Sequence, residues 1–246
     1  MTTPAPTPDP APLAAPELSE DVRAGVFVVI AAYNESTCLR EVVQGVRALY
    51  PNVVVVDDGS SDATFTAARD AGAWALRHVI NRGQGAALQT GIEFALASGA
   101  AIIVTFDADG QHCVEDIGAM VAPIARGECD ITLGSRFLDG ASKIPTSRRI
   151  MLRLAVWFTR VVSRVRLTDT HNGFRAFSRR AAGRIRITLD RMAHASELID
   201  QIQGSGFAFR EVPVRINYTA YSMAKGQSSR GAIGIALQYL LGRVIQ

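Results

Sequence analysis

From Val26 onward the chain alternates short apolar runs with amphipathic stretches. GVFVVIAAY is a continuous apolar run, and Leu39, Val42, Val43, Val46 and Leu49 follow it at helical spacing, so the pattern predicts a strand and then a helix. The order repeats with four valines at 53–56, a polar turn DDGSSD, and a helix from about Ala63 that stops before Gly72. A third strand is predicted around Leu76 to Ile80, leading through NRGQG into a helix that ends near Gly99. A fourth, AIIVTF at 101–106, runs into DADGQH. The second half is less regular, with strands predicted at Ile131 to Gly134 and Phe207 to Val214 and a helix across Ser147 to Arg164 between them.

Apolar runs of this length alternating with helices predict an α/β fold: an open, mixed, mainly parallel sheet with flanking helices and strands buried on both faces. In such sheets functional residues gather beyond the strands' carboxyl ends. Tyr33, Asn34 and Glu35 follow the first strand, Asp57 and Asp58 the second, and Asp107, Ala108 and Asp109 the fourth. Three acidic clusters should therefore converge on one edge.

The 246 residues, 48% hydrophobic and 20% charged, suit one globular domain with a full core. Residues 1–24, rich in Pro and Ala, read as a disordered leader. Residues 25–218 read as the catalytic domain, and 219–246 as a basic loop with a C-terminal amphipathic helix. The leader lacks the basic and apolar regions of a secretory signal, which implies a cytoplasmic protein. No run reaches the length of a membrane span. Cys38, Cys113 and Cys129 have neither disulfide-framework nor zinc spacing. The net charge of +3 says little by itself, but a dense basic group from Lys143 to Arg191 implies an anionic partner. No nucleic-acid partner is expected.

Asp107 and Asp109 stand two apart at a strand end, with Gln111 close behind, so both carboxylates can reach one hard cation. Mg²⁺ or Mn²⁺ suits such a site, where it would neutralise a departing diphosphate. Asp57 and Asp58 repel each other unless hydrogen bonds or a ligand compensate. Either they cap a turn, or one meets a nucleobase or ribose while the other supports the loop. NRGQG offers backbone amides to a phosphate or sugar but lacks P-loop and dinucleotide-fingerprint spacing.

In this order and at these intervals, AAYNE, VVDDGSSDAT, NRGQGAA, FDADGQH, GSRF and DTHNGFR resemble the family 2 glycosyltransferases of GT-A fold. They are most similar to the dolichol-phosphate mannosyltransferase and polyprenyl-phosphate glycosyltransferase branch. The resemblance implies that Tyr33, Glu35 and Asp58 hold base and ribose, that Arg82 lies near the donor, and that Ala108 lies beside the nucleotide. It also implies that Asp107, Asp109 and Gln111 hold the metal, and that Arg136 and one of Arg148 or Arg149 meet donor or acceptor phosphate. Asp169 falls where related enzymes place a candidate catalytic carboxylate, and Lys225 lies in a late basic loop over the diphosphate. Ala32 stands where the family often has proline.

Glu197, on a predicted helix, is the second choice for a catalytic carboxylate. His112, His171 and His194 are read as non-ligands. Arg149, Arg153, Arg160 and Arg164 fall in one helical stripe beside Ile150, Leu154, Trp157, Phe158 and Val161, which suits either an interfacial helix or a core helix with a solvated basic edge.

The expected reaction is an inverting transfer of a hexose from a nucleotide sugar of GDP-mannose or UDP-glucose type to a polyprenyl or dolichyl phosphate. It would take place at the cytoplasmic membrane face, with a small membrane protein as a candidate anchor. Rival expectations are a glycan or polysaccharide acceptor, a non-catalytic nucleotide-sugar-binding subunit, and a nucleotidyltransferase. The last would need a glycine- and lysine-rich first loop that is missing.

Overall fold

Val53, Val54, Val55 and Val56 are each 0% exposed, as a strand covered on both faces requires. In the computed structural model, which describes residues 17–138, 167–170, 172–189 and 194–217, they form the centre of β2 (Asn52–Asp57). Val53 and Val55 join one apolar cluster and Val54 and Val56 the other, because successive side chains leave a strand on opposite faces. Burying each valine stabilises the fold by about 1.5–3 kcal/mol.

The other strands are β1 (Val26–Ala32), β3 (Trp74–Arg77), β4 (Ile102–Asp107), β5 (Ile131–Ser135), β6 (Arg175–Ser178) and β7 (Phe209–Pro213). They form a seven-stranded sheet in the order β3-β2-β1-β4-β6-β5-β7. Only β6 runs antiparallel to its neighbours. The mixed, mainly parallel sheet expected from the sequence is therefore observed. Helices α2 (Leu39–Arg47), α3 (Thr64–Asp70) and α5 (Asp116–Ala125) cover one face. The other face is covered by α4 (Gln84–Ala97), the short α6 (Arg179–Ala182) and α7 (His194–Gly204).

Three details differ from the sequence expectation. β3 ends at Arg77, and Val79 and Ile80, expected inside it, are 99% and 67% exposed; as an edge strand β3 has one neighbour, and its apolar tail leaves the sheet. β6 was not anticipated, because four residues with a short apolar centre carry too little periodicity. Order also begins before residue 25: α1 (Glu20–Ala24) is capped by the Ser19 hydroxyl, with Leu18 and Val22 packed on the core.

The chain leaves β1 toward β2 and β3 and then returns to place β4 on the other side of β1. The crevice beyond the β1 and β4 carboxyl ends is thus a topological switch point, where open α/β sheets bind ligands. Since β6 is reversed, the segment preceding it enters at this same edge.

Candidate active site

The loops after β1 and β2 are laced together. Asn34 has a φ of 54°, and its backbone N–H donates to Ser60 Oγ at 2.9 Å while its Oδ1 accepts from the Ser61 N–H at 3.0 Å. The Glu35 N–H donates to Thr64 Oγ1 at 2.8 Å and the Ser36 N–H to Asp62 Oδ2 at 3.2 Å. Tyr33 projects from this rigid turn and is 45% exposed. Across the crevice, Cys38 Sγ lies 3.2 Å from the carbonyl oxygen of Ala108, which ties the β1 side to the β4 loop.

The adjacent acids of β2 divide their tasks. Asp58 is 2% exposed and accepts from the backbone N–H of Arg82 at 3.0 Å and of Gly83 at 2.6 Å, with His78 Nδ1 at 2.7 Å. The other ring nitrogen of His78 meets Thr90 Oγ1 at 3.0 Å. Asp58 therefore shapes the NRGQG loop, the supporting role that the paired acids left open, and Arg82 itself is exposed. Asp57 accepts from the Ser60 N–H at 2.9 Å through Oδ1. Its Oδ2 lies 3.2 Å from Arg77 Nε without a well-formed hydrogen bond. Gly59, at φ +73°, lets the turn approach the Ile80 backbone, where a Cβ would come within 2.7 Å.

At the end of β4, Asp107 Oδ2 lies 2.9 Å from His112 Nε2, and Gln84 Nε2 reaches Oδ1 at 3.4 Å. Burial pushes Asp107 up, but His112, then Arg175 and Arg136, hold its carboxyl below the usual range. Burial and then the charge of Asp107 push Asp109 up. Gln111 braces Asp109 through both its backbone N–H (3.1 Å) and its Nε2 (2.6 Å).

Paired carboxylates, one of them pushed up by burial and by the other's charge, and an all-oxygen donor set fit a hard divalent cation. Among the described residues no three His, Cys, Asp or Glu side chains gather into a metal cage.

Opposite these acids, Arg136 donates to Asp169 Oδ2 from both its backbone N–H (3.2 Å) and its Nε (2.6 Å), with both side chains buried. Glu211 Oε1 in turn accepts from the Thr168 N–H, the Thr168 hydroxyl and the Asp169 N–H at 2.8, 2.7 and 3.2 Å. Ser135 Oγ lies 2.6 Å from Thr168 Oγ1. The structure thus brings Arg136 and Asp169 together as a fixed ion pair.

Glu197 is occupied differently: its carboxylate accepts from the N–H groups of Thr188 and Leu189 and from the Thr188 hydroxyl. It braces the loop that packs against Gly85 at the start of α4, and nothing in these contacts gives it a proton to move. His112, passed over in the sequence as unpatterned, is 6% exposed and rests against Phe106 and Phe174 with its ring on Asp107. Glu211 and His78 also carried no local signal, and Arg175, the last residue of DTHNGFR, was given no role. Arg148, Arg149, Lys225, His171, the 147–164 helix and residues 219–246 lie outside the described residues.

Residues 27–186 match the Glycosyl transferase family 2 model. The chain belongs to this family. Among its relatives is the UDP-N-acetylglucosamine–dolichyl-phosphate N-acetylglucosaminyltransferase of Methanococcus voltae, 30% identical over 88% of this chain and 94% of that protein. Another is the polyprenol monophosphomannose synthase of Mycolicibacterium smegmatis, 30% identical over 82% of this chain and 81% of that one. Glucosyl-3-phosphoglycerate synthase from Mycobacterium tuberculosis, solved with Mn²⁺, UDP and glucosyl-3-phosphoglycerate, superimposes with a TM-score of 0.67 at 20% identity, covering 89% of this chain and 82% of that one. The glycosyltransferase fold expected from the sequence is therefore the one observed.

Proposed function

We propose that this family 2 glycosyltransferase moves a hexose, with inversion and with a divalent cation, from a nucleoside diphosphate sugar to the phosphate of a polyprenyl or dolichyl lipid. The observation that carries the reading is the convergence at one switch point of the loop braced by Asp58, the Asp107 and Asp109 carboxylates, and the Arg136–Asp169 pair. The acceptor is supported by two relatives whose names specify a dolichyl-phosphate and a polyprenol-phosphate reaction with different sugars.

In this reading Tyr33, Glu35 and Asp57 face the base and ribose, while Asp58 and the Arg82 loop shape the donor's cradle. Asp107 and Asp109, the latter steadied by Gln111, hold Mg²⁺ or Mn²⁺. When bound, that cation neutralises charge on the departing nucleoside diphosphate. A lipid phosphate arrives already anionic, so Asp169, held by Arg136, orients the attacking oxygen more than it deprotonates it. Arg148 and Arg149 at the acceptor, and Lys225 over the diphosphate, complete the set. Among the described residues no helix is long and apolar enough to cross a membrane; a surface helix, a small partner protein or no attachment at all are the alternatives for the membrane face.

The test is a screen of nucleotide sugars with polyprenyl phosphate and Mn²⁺ or Mg²⁺. Release of UDP or GDP, abolished by chelation, is expected together with labelled sugar partitioning into organic solvent. Donor binding without release at any metal concentration overturns the enzyme assignment, and a water-soluble product overturns the lipid acceptor.

A further inference from the structure

Arg175, at the start of β6, carries a buried charge that the hydrogen-bond network described above does not use. It is 4% exposed, yet among the described residues its guanidinium closes no hydrogen bond and no near ion pair. A buried guanidinium left in that condition costs several kcal/mol by the general penalty for desolvating an ion, so a position that retains one has a use for its donors.

The sheet register shows where it stands. Arg175 pairs across β6 with Thr105 on β4 and with Leu133 on β5. Directly paired residues share a sheet face, as do residues two apart on one strand. Arg175 therefore lies on the same face as Asp107, one pair deeper, between the strand that ends in the acidic cluster and the strand that ends in Ser135 and Arg136. Gly173, two residues earlier, approaches Asp107 so closely that a Cβ there would lie 2.6 Å from its Oδ1. The carboxylates acting on Arg175 are Asp107 and Asp169, and although burial pulls its pKa down to about 10, it stays cationic at neutral pH. Two acids from opposite sides of the crevice thus hold one cation between them without consuming its N–H groups.

We infer that Arg175 is a phosphoryl-binding residue in the floor of the site, whose guanidinium fork meets phosphate oxygens between Asp107 and Asp169. The fork geometry suits bidentate contact with phosphate, which a lysine cannot reproduce. The oxygens come either from the donor's diphosphate or from the acceptor's phosphate. The inference rests on the proposed function for the identity of those substrates.

The experiment compares wild type, Arg175→Lys and Arg175→Met. Calorimetric titration with UDP, GDP and the matching monophosphates is run in the presence of a chelator, so that changes at the metal carboxylates do not enter. Apparent KM for polyprenyl phosphate is measured separately, and thermal midpoints accompany both. If the donor is the source, Arg175→Met weakens the nucleoside diphosphate by about 10- to 100-fold, the scale of a charge-assisted hydrogen bond, and leaves the monophosphate unchanged. If the acceptor is the source, nucleotide affinities hold and KM for the lipid phosphate rises by a similar factor. Arg175→Lys preserves the buried charge and falls between the two, which also covers a poorly folding Met variant. Either pattern supports the inference. It is overturned if both variants bind both substrates as wild type does, or if mono- and diphosphate affinities fall equally along with the thermal midpoint, the mark of a purely structural cation. Failure of wild type to release nucleoside diphosphate would instead count against the proposed function and leave the binding comparison intact.

Discussion

Asp58 accepts the backbone N–H of Gly83 at 2.6 Å, so an acid at the end of the second strand fixes the loop that follows the third. The same carboxylate takes the Arg82 N–H and a ring nitrogen of His78. Asp58→Ala leaves the buried Gly83 N–H and two part-buried partners without their acceptor and should destabilise the protein by about 1–3 kcal/mol. Asp58→Asn turns an amide N–H₂ toward at least one of them and should be nearly as harmful. Urea denaturation and nucleoside diphosphate titration, run together, check this. Lost affinity with full stability would mean that Asp58 touches the nucleotide directly instead of building its loop.

Gly173 is bound to its position by Asp107. A methyl group there would lie 2.6 Å from Oδ1 and 3.0 Å from Oδ2 of that carboxylate, and its backbone carbonyl already accepts from the Thr105 hydroxyl at 2.7 Å. Gly173→Ala should displace Asp107 and lower turnover by about 100-fold, the cost of an ångström-scale misplacement in an active site. Steady-state kinetics across a Mn²⁺ series, with circular dichroism to verify the fold, read this effect. Unchanged turnover at every metal concentration contradicts it.

The parts of this site visible in the sequence are those written next to a strand end. Val53 to Val56 announce Asp57 and Asp58, and AIIVTF announces Asp107 and Asp109, because an apolar run marks both the strand and the point where it meets the crevice. What the local pattern hides is pairing between distant segments. Glu211 and Thr168 are 43 residues apart, and neither strand periodicity nor spacing connects them. β6 is hidden for the same reason: its position is set by β4 and β5, and RAFS alone has almost no pattern. Val79 and Ile80 mislead in the opposite sense, since their apolar character suggests a strand interior while the sheet edge leaves them in solvent. The division of work between Asp57 and Asp58 required the His78 and Gly83 contacts to be seen.

Asp62 offers a pH test of the wall between the first two loops. Burial acts to raise it, but the hydrogen bonds from Thr64 and Ser36 prevail and bring its pKa down from 3.8 to about 2. A folded-state value below the unfolded one contributes stability that is present above the unfolded pKa and lost as pH falls through the folded one. The stability gap between wild type and Asp62→Asn should therefore be complete above about pH 4.5 and shrink between roughly pH 4 and pH 2, following this linkage. Denaturation midpoints measured across that range check it, and a gap that stays constant down to pH 2 argues against the assignment.

Glu211 is the support on the other side of the crevice. It sits on β7 opposite Leu133 of β5, and a single oxygen, Oε1, receives two backbone N–H groups and the Thr168 hydroxyl. The segment it holds carries Asp169, whose Oδ2 is the acceptor for Arg136. Glu211→Ala removes that acceptor, frees the segment and moves Asp169 relative to Arg136. In the proposed reading the donor's cradle is formed by the loops after β1 and β2 and the Asp58-braced loop, none of which Glu211 contacts. Turnover should thus fall by about 10- to 100-fold, as for loss of a charge-assisted hydrogen bond, while KM for the nucleotide sugar changes little. Glu211→Gln keeps an amide oxygen where Oε1 stands and should recover most of the turnover, because the donors it serves need a lone pair more than a full charge. Separate determination of kcat and donor KM for the two variants, with thermal midpoints as the control for folding, distinguishes this from general damage. Equal impairment of Gln and Ala, or a parallel rise in donor KM, would show that Glu211 does not act through Asp169.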